Sequence, residues 1–407
     1  MSIVALLFLF LCQTMFSGVV ELGVDRFFSE RIVDSLQGKR VGLITNHTGV
    51  DKDLHPTYER FFSHQQGFKL VALFAPEHGF FGQESANQTF ETKKLHSIPV
   101  FSLYGATRRP TEEMLKGIDV LIYDIQDVGS RPYTYATTLY YVMEEAAKRN
   151  IPVIVLDRPN PLGGLLVDGP MLEEGLRSFI GYIDIPYCHG MTIGELARFF
   201  NGEYKVGCRL EVISMKGWKR SMFFQDTGLA WIPTSPYMAE EDTPLFYATT
   251  GLIGDLSLLS IGIGYTLPFK IVGAPWIDGK KFAKQLNDQG LGGVSFVPFY
   301  FKPYYGLYKG ELCQGVLIVI KDLQRYKPVR TQYMILSLIK SMYPSILQEK
   351  LATLSPAKKK LFCQAIGGEE VFSILCQEKY PAWKMIEHQS AKKISFLEKR
   401  KKYLLYQ

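Results

Sequence analysis

Four short apolar segments of the chain are each followed by a cluster of carboxylate, imidazole, amide or guanidinium side chains. The segments are residues 40–45, 69–74, 119–123 and 151–156. The side chains that follow them are Asn46, Glu77, His78, Asp124, Asp127, Arg131, Asp157, Arg158 and Asn160. Such a mixture suits acid–base chemistry, because a carboxyl group beside apolar neighbours such as Phe80 and Phe81 can have a raised pKa and donate a proton. Glycoside cleavage needs such a donor, and a second group that attacks the sugar or activates water.

The elements that must position these clusters follow from the segments themselves. They are continuous runs rich in Val, Ile and Leu, which is typical of parallel strands buried on both faces. Ligands of such sheets bind beyond the carboxyl ends of the strands, so the four clusters predict one site. Thr192 and Glu195 fit a capping box at a helix start. With right-handed crossovers, the pattern predicts a Rossmann-like α/β unit. We predict its helices at residues 27–36, 56–65, 111–116, 135–149 and 192–201, and further strands at 98–103 and 210–215.

A second, smaller unit begins after Trp231, where Pro- and Gly-rich segments replace the α/β rhythm. A chain of 407 residues exceeds what one core usually organises, so we expect two domains, residues 19–233 and 234–407, with the site in the cleft between them. The apolar stretch 252–267 contains Asp255 and several glycines, which favours burial at the domain interface over a membrane span. We predict α+β structure here, with helices at 279–289, 331–342 and 356–366, strands at 294–301 and 315–320, and a final helix that packs through Ile394, Leu397 and Leu404.

Residues 1–18 form an apolar stretch that matches a signal peptide and is too short to span a bilayer. We therefore expect export to the periplasm or the cell exterior, with no stable membrane insertion after signal removal. The net charge of +6 is modest for this length, and we expect no nucleic-acid partner. Residues 45–49 carry a single glycine where a dinucleotide-binding turn needs several, and no Walker loop or His-Glu-x-x-His pair occurs, so we expect no cofactor and no metal. The cysteines have neither metal-ligand spacing nor a disulfide pattern.

Five motifs carry a resemblance to a known family. They are Pro-Glu-His-Gly-Phe at 76–80, Ser-Leu-Tyr-Gly at 102–105, Asp-Ile-Gln-Asp-Val-Gly-Ser-Arg-Pro-Tyr-Thr-Tyr at 124–135, Leu-Asp-Arg-Pro-Asn-Pro-Leu-Gly-Gly at 156–164 and His-Gly-Met-Thr-Ile-Gly-Glu-Leu-Ala at 189–197. The sequence resembles the NamZ-type exo-β-N-acetylmuramidase family, and the similarity continues through 217–218, 231–236 and 273–276. The resemblance implies removal of non-reducing terminal N-acetylmuramic acid from peptidoglycan-derived muropeptides or disaccharides, with Glu77 as the catalytic acid.

The other candidate residues divide less clearly between catalysis and structure. We predict Asp124 as a second catalytic group, while either it or Asp127 holds loop amides or Arg131 instead. Asp157 and Arg158 also fit a rigid turn with an internal ion pair, and Tyr133 and Tyr135 can offer faces and hydroxyls to a sugar ring. The predicted substrate-binding residues are Asn46, His78, Asp127, Arg131, Tyr133, Tyr135, Asp157, Arg158, Asn160 and His189.

Residues 237–264 depart from the family pattern, because apolar residues replace polar ones there. The family arginine falls at Ile263, and its loss removes a natural fork for the lactyl carboxylate of muramic acid. Either Arg131 or another cation takes that task, or the preferred sugar has changed. Two alternative functions stay open: a non-catalytic muropeptide-binding protein on the same fold, and a metal-dependent hydrolase with Glu77, His78 and Asp124 as ligands.

Overall fold

The computed structural model describes residues 19–64, 67–85, 88, 93–388 and 390–407. The predicted signal peptide at residues 1–18 lies outside the described residues. Within the described part of the chain, no helix has the length and apolarity that a membrane span requires.

The N-terminal unit contains a seven-stranded, mostly parallel sheet, as the apolar segments predict. Its strands are β1 Arg40–Thr45, β2 Lys69–Ala75, β3 Lys93–Leu95, β4 Ile98–Ser102, β5 Val120–Asp124, β6 Val153–Leu156 and β7 Leu210–Ile213. The spatial order is β3-β4-β2-β1-β5-β6-β7, and only β3 runs antiparallel to its neighbour. The chain leaves β1 toward β2 and β4, then returns to the other side of β1 for β5. This reversal opens a crevice at the carboxyl ends of β1 and β5, where ligands of such sheets bind.

Helices cover both faces of this sheet. They are α1 Gly23–Ser29, α2 Thr57–Ser63, α3 Glu112–Leu115, α4 Thr134–Lys148 and α5 Ile193–Glu203. The capping box predicted for α5 is confirmed, since Thr192 accepts from the Glu195 amide and Glu195 accepts from the Thr192 amide. The helix predicted at 27–36 is wrong as one element: Arg31 has a left-handed backbone (φ 58°), which separates α1 from a short 3₁₀ helix, Ile32–Leu36.

The C-terminal unit has a three-stranded antiparallel sheet in the order β8-β10-β9. Its strands are β8 Ile271–Ala274, β9 Val294–Phe301 and β10 Cys313–Ile320. Its helices are α6 Thr243–Asp255, α7 Gly279–Asn287, α8 Pro328–Met342, α9 Pro344–Ala352, α10 Pro356–Ile366, α11 Glu369–Gln377, α12 Ala382–Glu387 and α13 Ser390–Arg400. The predictions missed α6 and β8, because both lie within or beside the apolar stretch that was treated as one buried segment.

The final helix α13 is present, and Leu404 just beyond it packs against the core as predicted, but within the helix Phe396 rather than Ile394 makes the buried contact. Ile394 is 64% exposed, whereas Phe396 is 2% exposed and its ring lies 5.7 Å from that of Phe199 in α5. The chain end then returns to the N-terminal unit, where the Leu405 amide donates to Glu195 and the Tyr406 hydroxyl donates to Asp157. The C-terminus therefore connects the last helix to the parallel sheet.

Candidate active site

Glu77 lies in a tight turn directly after β2, at the carboxyl edge of the parallel sheet. His78, the next residue, has a left-handed backbone (φ 73°), a conformation that is costly for a residue with a β-carbon. The turn is held by a hydrogen bond from the Gly79 amide to the Pro76 carbonyl, and His78 Nδ1 lies 2.8 Å from the Glu84 carbonyl oxygen. Glu77 thus stands directly before a strained backbone position, and such positions cluster at functional sites.

Two hydroxyl groups hold the Glu77 carboxylate. Thr134, the first residue of α4, donates to Glu77 Oε2 at 2.7 Å. Tyr104 is also hydrogen-bonded to Glu77, and burial together with the Glu77 charge raises the pKa of Tyr104 to about 12. Of the two apolar neighbours named from the sequence, Phe80 is 5% exposed and Phe81 is 59% exposed, and the hydrogen-bond partners of the Glu77 carboxylate are hydroxyls.

A cluster of buried polar side chains continues from Glu77 toward the start of the C-terminal unit. The Tyr135 hydroxyl donates to the Thr234 carbonyl at 2.7 Å and accepts from Asn46 Nδ2 at 3.1 Å. The Tyr133 hydroxyl donates to Thr234 Oγ1 at 2.8 Å. His47 follows β1 and contacts the segment that contains Thr234. Its Nε2 lies 2.6 Å from the carbonyl oxygen of Pro233, the residue before Thr234. These bonds fasten the loop that connects the two units over the crevice.

Tyr247 of α6 brings the C-terminal unit to this cluster. Its ring lies 6.0 Å from that of Tyr133 in an edge-to-face arrangement. Burial raises the pKa of Tyr247, and the charges of Asp255, Glu77 and Asp127 act in the same direction. Glu77 and Asp127 therefore both lie within electrostatic reach of one aromatic side chain of the C-terminal unit.

Asp127 is a second buried carboxyl group near Tyr247. Its Oδ2 accepts from the Gly129 amide at 2.8 Å, whereas its Oδ1 is buried and has no hydrogen-bond partner in the described part of the chain. Burial raises the pKa of Asp127 to about 7, against the opposing effect of the Gly129 and Val128 amides. Of the two structural roles predicted for this position, Asp127 has the first, since it holds a loop amide. It makes no ion pair with Arg131 within the described residues.

Asp124 and Arg158, both predicted at the site, bind each other. Arg158 Nε and Nη2 donate to the two Asp124 oxygens at 2.5 and 2.8 Å, and Thr57 Oγ1 also donates to Asp124 at 2.5 Å. Asp124 is fully buried and Arg158 is 3% exposed. Both carboxylate oxygens are engaged by the protein, so the pair joins the loops after β5 and β6. Asp124 therefore does not combine with Glu77 and His78 as a metal-ligand set, and no group of three or more His, Cys, Asp or Glu side chains in the described ranges is placed to hold a metal ion.

Asp157, Asn160 and His189 form a second set of scaffold residues. Asp157 accepts from the Gly194 amide and from the Thr192 and Tyr406 hydroxyls. Asn160 bridges the Leu162 amide and the Met191 carbonyl. His189 Nδ1 accepts from the Met191 amide, and burial lowers the pKa of His189 to about 3. The three residues were predicted to bind substrate; in the structure Asp157 holds the start of α5 and the chain end, and Asn160 and His189 hold Met191 in the loop before α5.

Arg131 joins the two units through backbone carbonyls. Its guanidinium donates to the carbonyls of Pro170 and Ile185 in the N-terminal unit and of Ala365 and Ile366 at the end of α10. The side chain is 3% exposed. Arg131 was one candidate for binding the substrate carboxylate. Its guanidinium is instead engaged by backbone carbonyls.

Arg108 was missed by the sequence reasoning. Its guanidinium lies 4.4 Å from the Phe179 ring centre and 5.3 Å from that of Tyr104, the hydroxyl partner of Glu77. The side chain is exposed, and it has no carboxylate partner among the described residues. Thr134, Thr234 and Tyr247 were missed too. The first two lie within quoted motifs, whereas Tyr247 lies in an apolar helix of the other unit and carries no local signal.

Comparisons with known proteins identify the family of the chain. A model of the family Exo-beta-N-acetylmuramidase NamZ, N-terminal, matches residues 41–242, and the corresponding C-terminal model matches residues 245–406. The chain belongs to the NamZ family. It is 42% identical over 334 residues to the Peptidoglycan beta-N-acetylmuramidase NamZ of Bacillus subtilis (strain 168), which covers 82% of this chain and 80% of that protein.

Two solved structures share the NamZ fold of this chain. Both are crystal structures of DUF1343 family proteins from Bacteroides fragilis NCTC 9343. The first is 40% identical with a TM-score of 0.88 and covers 95% of this chain and 99% of its own. The second is 27% identical with a TM-score of 0.70 and covers 96% and 99%. The resemblance predicted from the motifs is confirmed, and so is the fold of a parallel-sheet unit followed by a smaller unit.

Proposed function

We propose that this protein is an exo-acting glycosidase that releases non-reducing terminal N-acetylmuramic acid from peptidoglycan fragments, with Glu77 as general acid. The observation that carries the proposal is the Glu77 carboxylate itself. Two hydroxyls orient it at the carboxyl edge of the sheet, in a tyrosine-lined cleft of a NamZ-family chain. A positioned acid of this kind protonates the glycosidic oxygen as the bond to the leaving sugar breaks.

Asp127 is our candidate for the second group of the reaction. The charges of Asp127 and Glu77 both raise the pKa of Tyr247, so the two carboxyl groups lie near the same side chain. One Asp127 oxygen has no hydrogen-bond partner in the described part of the chain. The other route is attack by the acetamido oxygen of the substrate on its own anomeric carbon, in which case one protein acid suffices. Asp127→Asn separates the two: loss of turnover supports Asp127, and retained turnover supports the acetamido route.

Arg108 is our candidate for the cation that recognises the lactyl carboxylate. Released N-acetylmuramic acid is an anion, and Arg131 is occupied by four carbonyls. Arg108 combines an exposed guanidinium with a position beside the Tyr104 and Glu77 pair. A guanidinium can bind a carboxylate through two parallel hydrogen bonds, a geometry that selects a carboxylated sugar over its uncharged analogue.

The test of the activity uses the purified protein and a disaccharide with a non-reducing N-acetylmuramic acid. Free N-acetylmuramic acid should appear, and Glu77→Gln should lower the rate by roughly 10²–10⁴-fold, the usual contribution of a general acid. Glu59→Gln is the matched control, because Glu59 is an exposed carboxylate on α2 of the same unit. Saturable binding without release by the wild-type protein would instead support the non-catalytic muropeptide-binding alternative.

We further propose that the protein is exported, so that it meets peptidoglycan fragments in the periplasm or outside the cell. The support is the apolar segment at residues 1–18. N-terminal sequencing of the protein recovered from the exported fraction should give a chain that begins after this segment. Full-length protein confined to the cytosol would contradict export.

A further inference from the structure

A cavity of about 330 Å³ lies next to the Glu77 cleft, with Tyr247 on its wall. Most of its lining comes from residues 247–307, and Glu77 is not part of that lining. Small-molecule sites start at roughly this size, about 300 Å³. The cavity therefore has room for one sugar ring, one side chain away from the carboxylate that performs the proposed chemistry.

Two polar groups in this cavity lack partners. Asp255 has no hydrogen-bond or ion-pair partner in the described part of the chain, and it is the last residue of α6. A carboxylate at this end faces the negative pole of the helix, which is an unfavourable place for a negative charge. The Ser260 hydroxyl is also a lining group, and Ser260 is 3% exposed with its Oγ unpartnered among the described residues. Unsatisfied groups that share one cavity indicate a polar ligand.

The remaining lining suits a sugar ring. Tyr247 and Phe269 place two aromatic rings 5.3 Å apart on the cavity wall, where they offer apolar faces. Acceptor and hydroxyl groups beside aromatic faces match the alternation of hydroxyls and C–H faces on a pyranose. Ile263 is part of the same lining and adds an aliphatic surface beside these rings.

The charge of the cavity decides which sugar fits. None of its lining residues within the described ranges is Lys, Arg or His, and Asp255 is the one acidic residue there. Lys358 is not part of the lining, although its ammonium donates to Ser257 at 3.0 Å at the margin. A carboxylated sugar would place its anion near Asp255, so the cavity disfavours N-acetylmuramic acid and accepts an uncharged N-acetylhexosamine.

We propose that the Asp255 cavity is a binding subsite for the uncharged N-acetylhexosamine that is linked to the released sugar, with Asp255 and Ser260 as its hydroxyl-binding groups. This inference rests on the proposed function. It sets the order of the two sugar rings along the site. The carboxylated ring lies between Glu77 and Arg108, and the uncharged ring lies beyond Tyr247.

The experiment measures dissociation constants of two single sugars by saturation-transfer NMR on the full chain carrying Glu77→Gln, so that no turnover is needed. The probes are N-acetylglucosamine and N-acetylmuramic acid. Ile263→Phe fills the cavity and should weaken N-acetylglucosamine at least tenfold while leaving N-acetylmuramic acid within twofold. Arg108→Met should do the reverse. Val297→Phe, at a 47% exposed position of β9, is the matched control and should change neither.

Ser260→Ala removes a hydroxyl that has no partner in the described part of the chain, so this variant should keep the fold. It should weaken the binding of N-acetylglucosamine about threefold. If the Ile263→Phe protein does not fold, Ser260→Ala serves as the test in its place. Unchanged binding of N-acetylglucosamine in both variants, or weaker N-acetylmuramic acid in Ile263→Phe, would overturn the proposal. Failure of the proposed function has a different signature, because it appears as absent release of sugar by the wild-type protein whatever these constants are.

Discussion

Replacing Asp124 with Asn separates a structural carboxylate from a catalytic one. The Asp124→Asn protein keeps the shape of the side chain but leaves the Arg158 guanidinium, 3% exposed, without its counter-ion. Removing one member of a buried ion pair costs about 3–5 kcal/mol, since the remaining charge stays in a medium that solvates it poorly. For a unit of about 200 residues, 1 kcal/mol moves Tm by about 2–4 °C, so Tm should fall by roughly 6–20 °C.

The assay compares Tm with turnover for Asp124→Asn and Glu77→Gln. Below its transition, Asp124→Asn should keep kcat within about tenfold of wild type, because its oxygens contact Arg158 and Thr57 rather than substrate. Glu77→Gln should keep Tm and lose kcat. The double variant Asp124→Leu with Arg158→Met should recover much of the lost Tm, since an apolar pair can replace a buried ion pair. Unchanged Tm with lost kcat in Asp124→Asn would refute the structural assignment.

Three further predictions concern pH, packing and the contact between the units. Burial raises the pKa of Asp127 to about 7 from 3.8, so the folded state binds this proton more tightly than the unfolded state. The stability that it contributes is therefore greatest below about pH 4 and declines up to about pH 7; Asp127→Asn should flatten this part of the Tm-against-pH curve. In denaturant unfolding, Phe396→Ala should lose about 3–5 kcal/mol and Ile394→Ala no more than about 0.5 kcal/mol, with the opposite ranking contradicting the packing of α13. Arg131→Met should lower stability by at least about 2 kcal/mol, because four carbonyls lose their donor, while KM for the carboxylated disaccharide stays unchanged; a large rise in KM would return Arg131 to the substrate site.

The parallel sheet was predictable because its strands are buried on both faces. A run such as Val153–Leu156 needs apolar residues at every position, so periodicity and composition agree. The three-residue β3 carries too few positions for such a pattern, whereas the four-residue β8 was missed because it comes soon after the long apolar stretch 252–267 and does not stand out from it. The face of α13 was predicted from aliphatic spacing alone, which favoured Ile394 over the aromatic Phe396. Packing against Phe199, nearly 200 residues earlier, determined the result.

The candidate site was found in outline, because polar residues at strand ends converge wherever parallel strands end together. Their roles were not separable from the sequence. Asp124 and Glu77 have the same local appearance, a carboxylate after an apolar run, and differ through partners that lie far away along the chain. Arg158 is 34 positions from Asp124, and Thr134 is 57 positions from Glu77. Tyr247 and the Asp255 cavity belong to the second unit, whose approach to the crevice no local pattern indicated.

The scaffold and the reactive group are mechanically connected in this chain, which decides how mutational data must be read. Arg158 binds the Asp124 carboxylate and the Val50 carbonyl, and so ties the loops after β1, β5 and β6 into one unit. Thr134 and Tyr135, which contact Glu77, are the first residues of α4 and follow directly on the loop after β5. A change at Asp124 or Arg158 therefore reaches Glu77 only through this support, so that the expected loss of kcat is small beside the loss of stability. Loss of activity alone cannot assign a catalytic role here; only activity measured together with stability distinguishes the carboxylate that transfers a proton from the one that holds its support.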